Sequence, residues 1–283
     1  MYRQVGQRDA WSHRALLAVS LCAVTSACES PDPFAGAPSR VPEVFAPGAV
    51  STELREYGIT FAPRGTEAYF TRRGRRGQPQ IFVTRHVDGR WTEAAPARFA
   101  RPGDEAPFVT APGSRLLFTS RRPLPESGDD GANLWEVRRT DQGWSDARPL
   151  AGAVNTPGTE LERYTLGAET GASLLPDGTL LYTLGTDPEW GSDLYVAEPD
   201  GDGGFSAPRP LLINSYGDEA NAVMSPGGRY LIFQGYREAS GVGEQDLYVA
   251  ERTAYGWGEP HPLPEPLNSR GNDGYPEIGR AHV

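Results

Sequence analysis

One pattern recurs four times in this chain of 283 residues: a short strand, a tight turn with proline or glycine, and a strand that ends in an aromatic residue. The four copies are Phe61–Phe70, Thr110–Phe118, Leu175–Tyr182 and Met224–Phe233. Their turn glycines, Gly65, Gly113, Gly178 and Gly228, are 48, 65 and 50 residues apart. Such a period is typical of propeller blades.

Two further strand-like segments follow each copy. Third strands are predicted at 80–84, 133–137, 193–197 and 246–250, and fourth strands are centred on Trp91, Trp144, Phe205 and Trp257. Four antiparallel strands make one blade. The 34 glycines and 26 prolines agree with many short strands joined by tight turns. The sequence therefore predicts an all-β propeller with four complete blades and the start of a fifth.

The repeats resemble the WD40-like propeller repeat of TolB-type periplasmic proteins. The mark of that repeat is a Ser-Pro-Asp-Gly turn, an aromatic strand and an Asp-(Ile/Leu)-Tyr strand; here the turn is best kept at Pro176–Gly178, and the third strand at Asp193–Tyr195 and Asp246–Tyr248. The resemblance covers about residues 45 to 274. It implies that the first strand of each blade lines a central channel, and that the protein binds a partner in the envelope. Propellers host unrelated activities, so the repeat specifies a fold more than a function.

The repeat also sets the expected boundaries. Within a propeller of residues 42–276, we expect blades at about 53–99, 100–150, 155–211 and 214–263, with a fifth starting at 268–276. Residues 42–50 match the end of an outer strand and are predicted to complete blade five, which makes the full-length protein five-bladed. Residues 277–283 resemble a translated sequencing adapter. We therefore expect a truncated fragment with a non-native tail; a genuine, unusual C-terminus is the alternative.

The first 27 residues have the three parts of an export signal: basic residues, an apolar run from Ala15 to Val24, and small residues up to Ala27. Cleavage after Ala27 would leave Cys28 first, as in a lipoprotein, although Thr25 stands where leucine is usual. Simple secretion is the alternative. We expect a flexible linker over 28–41 and a location in the periplasm or, as a lipoprotein, at the outer membrane.

Charge limits the choice of partners. The formal net charge is -10, which disfavours nucleic acid. The expected partners are an envelope protein or a glycan, with membrane contact only through a lipid on Cys28. We expect a monomer.

An acidic residue is predicted near the start of the first strand of every blade, at one mouth of the channel. These residues are Glu56, Glu105, Glu160, Glu219 and Asp273. Second strands return to the same mouth and end in Arg73, Arg122 and Arg237. We expect the acids and arginines to pair and to tie neighbouring blades together. No cofactor is expected; a calcium site on these carboxylates is the alternative.

Blade three departs from this pattern. Thr183–Asp187 stands where the arginine would be, and nine extra residues precede the turn, in a segment that includes Glu162 and Tyr164. Inserted loops at a channel mouth often carry function, so these two residues join the candidate binding site.

Two functions agree with these features. The first is a non-catalytic envelope scaffold that binds a protein or glycan at the channel mouth. The second is a glycan hydrolase or lyase that uses two carboxylates as acid and base. Carboxylates in an open pocket without arginine partners would favour the enzyme, whereas a ring of acid–arginine pairs would favour the scaffold.

Overall fold

The computed structural model describes residues 41–111, 113–155, 168–187, 191–237 and 241–278. The expected signal segment, Cys28, Glu160, Glu162 and Tyr164 lie outside these residues. The described residues contain strands and turns only, and they include no helix of the length and apolar character needed to cross a membrane.

Within the described residues, nineteen strands form four antiparallel sheets, one for each complete blade that the sequence predicts. Blade one contains β1 (Arg55–Phe61), β2 (Glu67–Arg73), β3 (Pro79–Val87), β4 (Arg90–Trp91) and β5 (Ala95–Pro96). Blade two contains β6 (Glu105–Val109), β7 (Arg115–Ser120), β8 (Asn133–Thr140), β9 (Gly143–Trp144) and β10 (Arg148–Pro149). Blade three contains β11 (Glu169–Leu174), β12 (Leu180–Asp187), β13 (Gly191–Ala197) and β14 (Arg209–Pro210). Blade four contains β15 (Glu219–Met224), β16 (Tyr230–Gly235), β17 (Asp246–Thr253), β18 (Gly256–Trp257) and β19 (His261–Pro262). The predicted all-β propeller is confirmed.

The blades pack face to face, so their middle strands are buried on both sides. In β7, Leu116 and Phe118 pack with Tyr69 of blade one, whereas Leu117 packs with Tyr182 of blade three. All of these side chains are nearly inaccessible to solvent. The strands therefore carry continuous apolar runs, because neither face meets water.

The turn glycines behave as predicted. Gly65, Gly113, Gly178 and Gly228 all have positive φ, between 66° and 89°. Each donates its backbone N–H to the carbonyl three residues earlier, which closes a tight turn. We call the end of the propeller that carries these turns the turn face, and the opposite end, where β1, β6, β11 and β15 begin, the acid face.

The innermost strands contact one another in chain order. β1 packs beside β6, β6 beside β11 and β11 beside β15. Among the described strands, β15 and β1 do not touch. Residues 272–277 fill the space between them: Tyr275 donates its backbone N–H to Gln234 of blade four (2.9 Å), and its ring lies 4.8 Å from that of Tyr57 in blade one.

The segment before blade one packs along that blade. Val50 is fully buried, and the ring of Phe45 meets those of Phe61 and Trp91 edge-on. Residues 41–54 form turns and contain no assigned strand. The proposed role of residues 42–50 as the outer strand of a fifth blade stays a prediction.

Candidate functional site

Blade four shows most clearly how the acid face is built. The Glu219 carboxylate is completely buried and accepts hydrogen bonds from the backbone N–H (2.9 Å) and hydroxyl (2.5 Å) of Ser215. Arg237 pairs with the same carboxylate at 3.0 Å and also donates to the carbonyl of Ile213. Ile213 lies in the segment that connects blade three to β15. This acid clamp, one carboxylate held by an arginine and by the segment entering its blade, joins two neighbouring blades.

Blade one repeats the acid clamp with a different arginine from the predicted one. Arg72 pairs with Glu56 at 2.8 Å and donates to the carbonyl of Val50, while Thr52 caps the carboxylate. The predicted pairing of Glu56 with Arg73 is wrong. In the β1–β2 register Arg72 lies opposite Glu56, so the next side chain points to the other face of the strand.

Arg73 is exposed instead. Its guanidinium donates to the carbonyl of Gly77 within the loop after β2, at 3.3 Å. It takes no part in the acid clamp of blade one.

Blade two uses a different acid from the predicted one. Arg122 pairs with Asp104 at 2.7 Å and donates to the carbonyl of Phe99 at 2.8 Å. Glu105, the predicted partner, instead accepts a hydrogen bond of 2.6 Å from the Tyr57 hydroxyl of blade one. Side chains alternate along an extended chain, so adjacent acids face different surroundings.

The three clamp arginines share one setting. Each guanidinium lies 4.9 to 5.6 Å from two ring centroids, one on the second strand and one on the third strand of its blade. The ring pairs are Phe70 and Phe82, Phe118 and Trp135, and Phe233 and Tyr248. Cation–π contacts of this kind hold the cation in one orientation.

In blade three the corresponding acid is Glu169. It lies nine residues before the turn glycine, as Glu56, Asp104 and Glu219 do, and it is completely buried. The spacing from this acid to the turn glycine is the same in every blade, so counting back from the glycine finds the acid. The predicted acid of blade three, Glu160, lies five residues after Asn155, at the start of the preceding Asn–Thr pair. The inserted residues separate it from the position that Glu169 occupies.

Asp273 has the same cap as Glu56 and Glu219. The backbone N–H and hydroxyl of Ser269 donate to its carboxylate at 2.6 and 2.9 Å. Its own N–H donates to Gln245 at 2.8 Å, as that of Glu169 does to Ala132. Residues 269–275 therefore begin a fifth repeat in the same conformation as the others.

Burial controls the protonation of these acids. It raises the pKa of Glu219, while the hydrogen bonds from Ser215 and the charge of Arg237 act in the opposite direction. Burial likewise raises the pKa of Asp104 against a hydrogen bond from Ser120 and the charge of Arg122. Since these carboxylates are enclosed and bonded, they are poorly placed to contact a substrate. No cluster of three His, Cys, Asp or Glu side chains suited to a metal ion occurs in the described part of the chain.

The central channel is narrow. Its cavity of about 40 Å³ is lined by the innermost strands, including Gly58, Phe108 and Ser173, and by Tyr275. This volume has room for about three water molecules. At the mouth, burial first and then the Glu105 charge raise the pKa of the Tyr57 hydroxyl, so this phenol stays protonated and donates.

The acid face of blades three and four carries exposed apolar side chains. Tyr216 and Leu212 are almost fully exposed, and Tyr236 and Val242 are about half exposed. Gly217 packs against the backbone of Tyr236, which brings the segments of the two tyrosines together. We call these four residues the tyrosine rim. They were not predicted, because single exposed apolar residues give no periodic signal.

Comparisons with known proteins yield only distant structural similarity. No protein-family model and no curated protein matches the chain. TolB from Acinetobacter baumannii is 15% identical, with 72% of this chain covering 44% of that protein and a TM-score of 0.46. An endo-arabinase from Bacteroides thetaiotaomicron is 17% identical, with coverage of 80% and 85% and a TM-score of 0.47. An alpha-L-arabinofuranosidase from Lactobacillus brevis is 12% identical, with coverage of 76% and 76% and a TM-score of 0.44.

Similarity at this level carries no argument about activity. This chain spans less than half of the Acinetobacter baumannii protein, and the other two have different enzymatic names. The propeller itself rests on the four sheets and their repeated acid clamps.

Proposed function

We propose that the protein is a non-catalytic propeller of the cell envelope that binds a protein or glycan through its acid face. The observation that carries this proposal is the use of Glu56, Asp104 and Glu219 in acid clamps. General acids and bases must reach the reacting atoms, whereas these carboxylates have arginine and hydroxyl partners. Their arrangement serves a rigid scaffold.

The tyrosine rim is the proposed contact surface. Tyrosine is enriched at binding hot spots because it combines a large apolar ring with a hydroxyl donor. Tyr216 projects fully into solvent from the acid face. We further propose export by residues 1–27 and a lipid anchor on Cys28, which would hold the scaffold in the envelope.

Site-specific photocrosslinking tests this proposal. A photoreactive residue at position 216 should capture a discrete partner in intact cells, whereas the same residue at position 255 should not. Tyr255 is equally exposed but lies in the hairpin between β17 and β18, on the turn face. Loss of the adduct after protease treatment would identify a protein partner, and loss after muramidase treatment would identify a glycan. Equal labelling from both positions, or none from 216, would contradict the proposal.

A glycan hydrolase or lyase is the second candidate, favoured by one observation. Glu105 has a tyrosine rather than an arginine as its partner and lies at the channel mouth. A glycosidase needs a second carboxylate nearby. If this candidate is correct, the protein should release new reducing or unsaturated ends from envelope glycans, and Glu105→Gln should abolish the release.

A further inference from the structure

Charge is divided unequally between the two halves of the propeller. Residues 41–155, which contain blades one and two, include 16 of the 27 arginines and 14 acidic residues. Residues 156–283 include 7 arginines and 20 acidic residues. The net charge of -10 therefore conceals a basic half beside a strongly acidic one.

The basic character of blade two centres on a buried glutamate. Glu136 stands where the other blades have Val83, Val196 and Val249, and its side chain is 4% exposed. Three guanidiniums surround its carboxylate: Arg115 at 2.6 Å, Arg138 at 3.1 Å and Arg148 at 2.6 Å. One carboxylate cannot neutralise three cations, so this cluster keeps excess positive charge.

A second glutamate gathers two more arginines on the other side of blade two. Glu67 pairs with Arg85 at 3.0 Å and with Arg139 at 2.6 Å, and its side chain is 16% exposed. Arg139 also lies 4.4 Å from the Trp144 ring centroid, which fixes its orientation. We call Arg85, Arg115, Arg138, Arg139 and Arg148 the arginine band.

The arginine band presents cations and hides its acids. Arg85, Arg138 and Arg148 are about half exposed, whereas both glutamates are largely covered. Each guanidinium has five donors and uses only part of them on its glutamate. The free donors form a fixed array that matches phosphate oxygens. The exposed acids Asp88, Glu93, Asp141 and Asp146 lie near the band. Arg64 and Arg90, in the turn after β1 and at the start of β4, add two cations on the same face, which leaves it with a small positive excess.

The chain enters the propeller beside this band. Phe45 packs on Phe61 and Trp91 at the turn face, and Val50 lies at the acid face against Arg72. Residues 45–50 therefore run from the turn face to the acid face. Twelve residues separate Cys28 from Val41, and a fully extended chain of this length would reach up to about 45 Å.

We propose that the turn face of blades one and two docks on a bilayer surface of anionic lipids, with the arginine band binding headgroup phosphates. Because Phe45 lies on the same face, the chain enters there and lets the cations meet a membrane that holds residue 28. The acid face then points away from the bilayer. Blades three and four are repelled from the same surface, so the propeller rests on blades one and two. This contact lies on the opposite face from the tyrosine rim, so it does not depend on the proposed partner.

Vesicle flotation tests the docking. The full chain with Cys28→Ala, which cannot be lipidated, should bind phosphatidylcholine vesicles that contain phosphatidylglycerol better than vesicles of phosphatidylcholine alone. Every variant keeps residues 1–27, so any binding of this segment to the vesicles is the same in all variants. Arg138→Gln with Arg148→Gln should weaken the phosphatidylglycerol-dependent binding on the order of tenfold, and high salt should remove it.

A matched control removes the same charge from the acidic half. Arg209 and Arg229 are exposed and pair singly with Glu198 and Glu251. Arg209→Gln with Arg229→Gln should leave vesicle binding unchanged. An equal loss in both double variants, or equal binding to both kinds of vesicle, would overturn the proposal.

A second variant decides the question if loss of arginines near Glu136 prevents folding. Glu136→Val introduces the residue found at this position in the other blades and keeps every arginine. Arg138 and Arg148 are about half exposed, so their guanidiniums can turn to water when the carboxylate is removed. We expect this variant to bind phosphatidylglycerol vesicles more tightly than the parent. Unchanged or weaker binding, or binding to an acidic protein but not to vesicles, would refute a lipid surface as the occupant.

Discussion

Individual residues on the acid face act mainly as connectors. The carboxylate of Glu219 contacts Ser215 from the incoming segment and Arg237 from its own blade, and no part of it reaches solvent. A buried pair of this kind contributes little net free energy when intact, yet its loss is costly because it leaves one charge unpaired. Its main effect is to fix how neighbouring blades meet.

Removal of this carboxylate should therefore destabilise the propeller strongly. We expect Glu219→Ala to lower the free energy of unfolding by about 3 to 5 kcal/mol, since Arg237 would remain buried without its partner. Denaturant unfolding followed by tryptophan fluorescence measures the change. Glu198→Ala, which breaks an exposed pair with Arg209, should cost less than about 1 kcal/mol. Similar losses in the two variants would contradict a structural role for the acid clamp.

Glu136 should make stability depend on pH in acid. Burial raises its pKa, but Arg115, Arg148 and Arg138 together hold the pKa below its usual value. Its contribution to stability is therefore complete above the unfolded value of about 4.3, and it is lost as the pH falls through the lower folded value.

Glu136→Val should remove this dependence. The melting temperature of the parent should fall more steeply below about pH 4.3 than that of the variant. Calorimetry between neutral pH and the acid limit of folding makes the comparison. Parallel curves would show that the three arginines do not lower this pKa.

At the scale of the elements, each inner strand contains the same bulge. Gly58, Ala106, Gly171, Asn221 and Tyr275 occupy equivalent positions, with φ between 51° and 58°. Register shifts in β1, β6, β11 and β15 surround the first four of these residues. The N–H of Ala106 donates to Thr71 of blade one and that of Asn221 to Thr183 of blade three. The bulge thus turns a backbone donor toward the neighbouring blade.

Gly171→Ala should disturb this contact. An alanine at position 171 would have an unfavourable positive φ, and its β-carbon would overlap the side-chain oxygen of Asn221. We expect a loss of about 3 kcal/mol, measured by denaturant unfolding. Gly89→Ala has positive φ but open space around it, so it should cost about 1 kcal/mol. Equal costs would mean that the inner strands have room to move apart.

The sequence contained most of the information about these elements. Turn glycines and aromatic strands repeat in every blade, so fold and blade number followed from their spacing. The bulges could not be predicted, because glycine, alanine, asparagine and tyrosine share no chemical type. The choice of Arg72 over Arg73 depended on which face of the strand each residue occupies, and two adjacent arginines do not reveal that. The position of Glu169 could have been predicted by counting from Gly178.

At the scale of the whole molecule, the ring is continuous on one side and bridged on the other. Blades one to four contact in order through apolar clusters. Between blades four and one, Tyr275 is bonded to Gln234 and stacks near Tyr57, which is itself bonded to Glu105 of blade two. Tyr275 thus contacts blades four and one at the channel mouth and reaches blade two through Tyr57. The sequence could not show this role, because the equivalent residues of the other repeats, Gly58, Ala106, Gly171 and Asn221, are not aromatic.

Loss of this bridge should loosen one boundary and leave the others unchanged. We expect Tyr275→Ala to lower the free energy of unfolding by about 2 kcal/mol, because a largely covered aromatic ring and its contacts are lost. Hydrogen exchange should accelerate in β1 and β15, which face the bridge, more than in β6 and β11. Tyr255→Ala removes a fully exposed ring and should change stability by less than about 0.5 kcal/mol. If exchange accelerates equally in all four inner strands, the blades share one cooperative unit and Tyr275 does not act as a local link between the first and fourth blades.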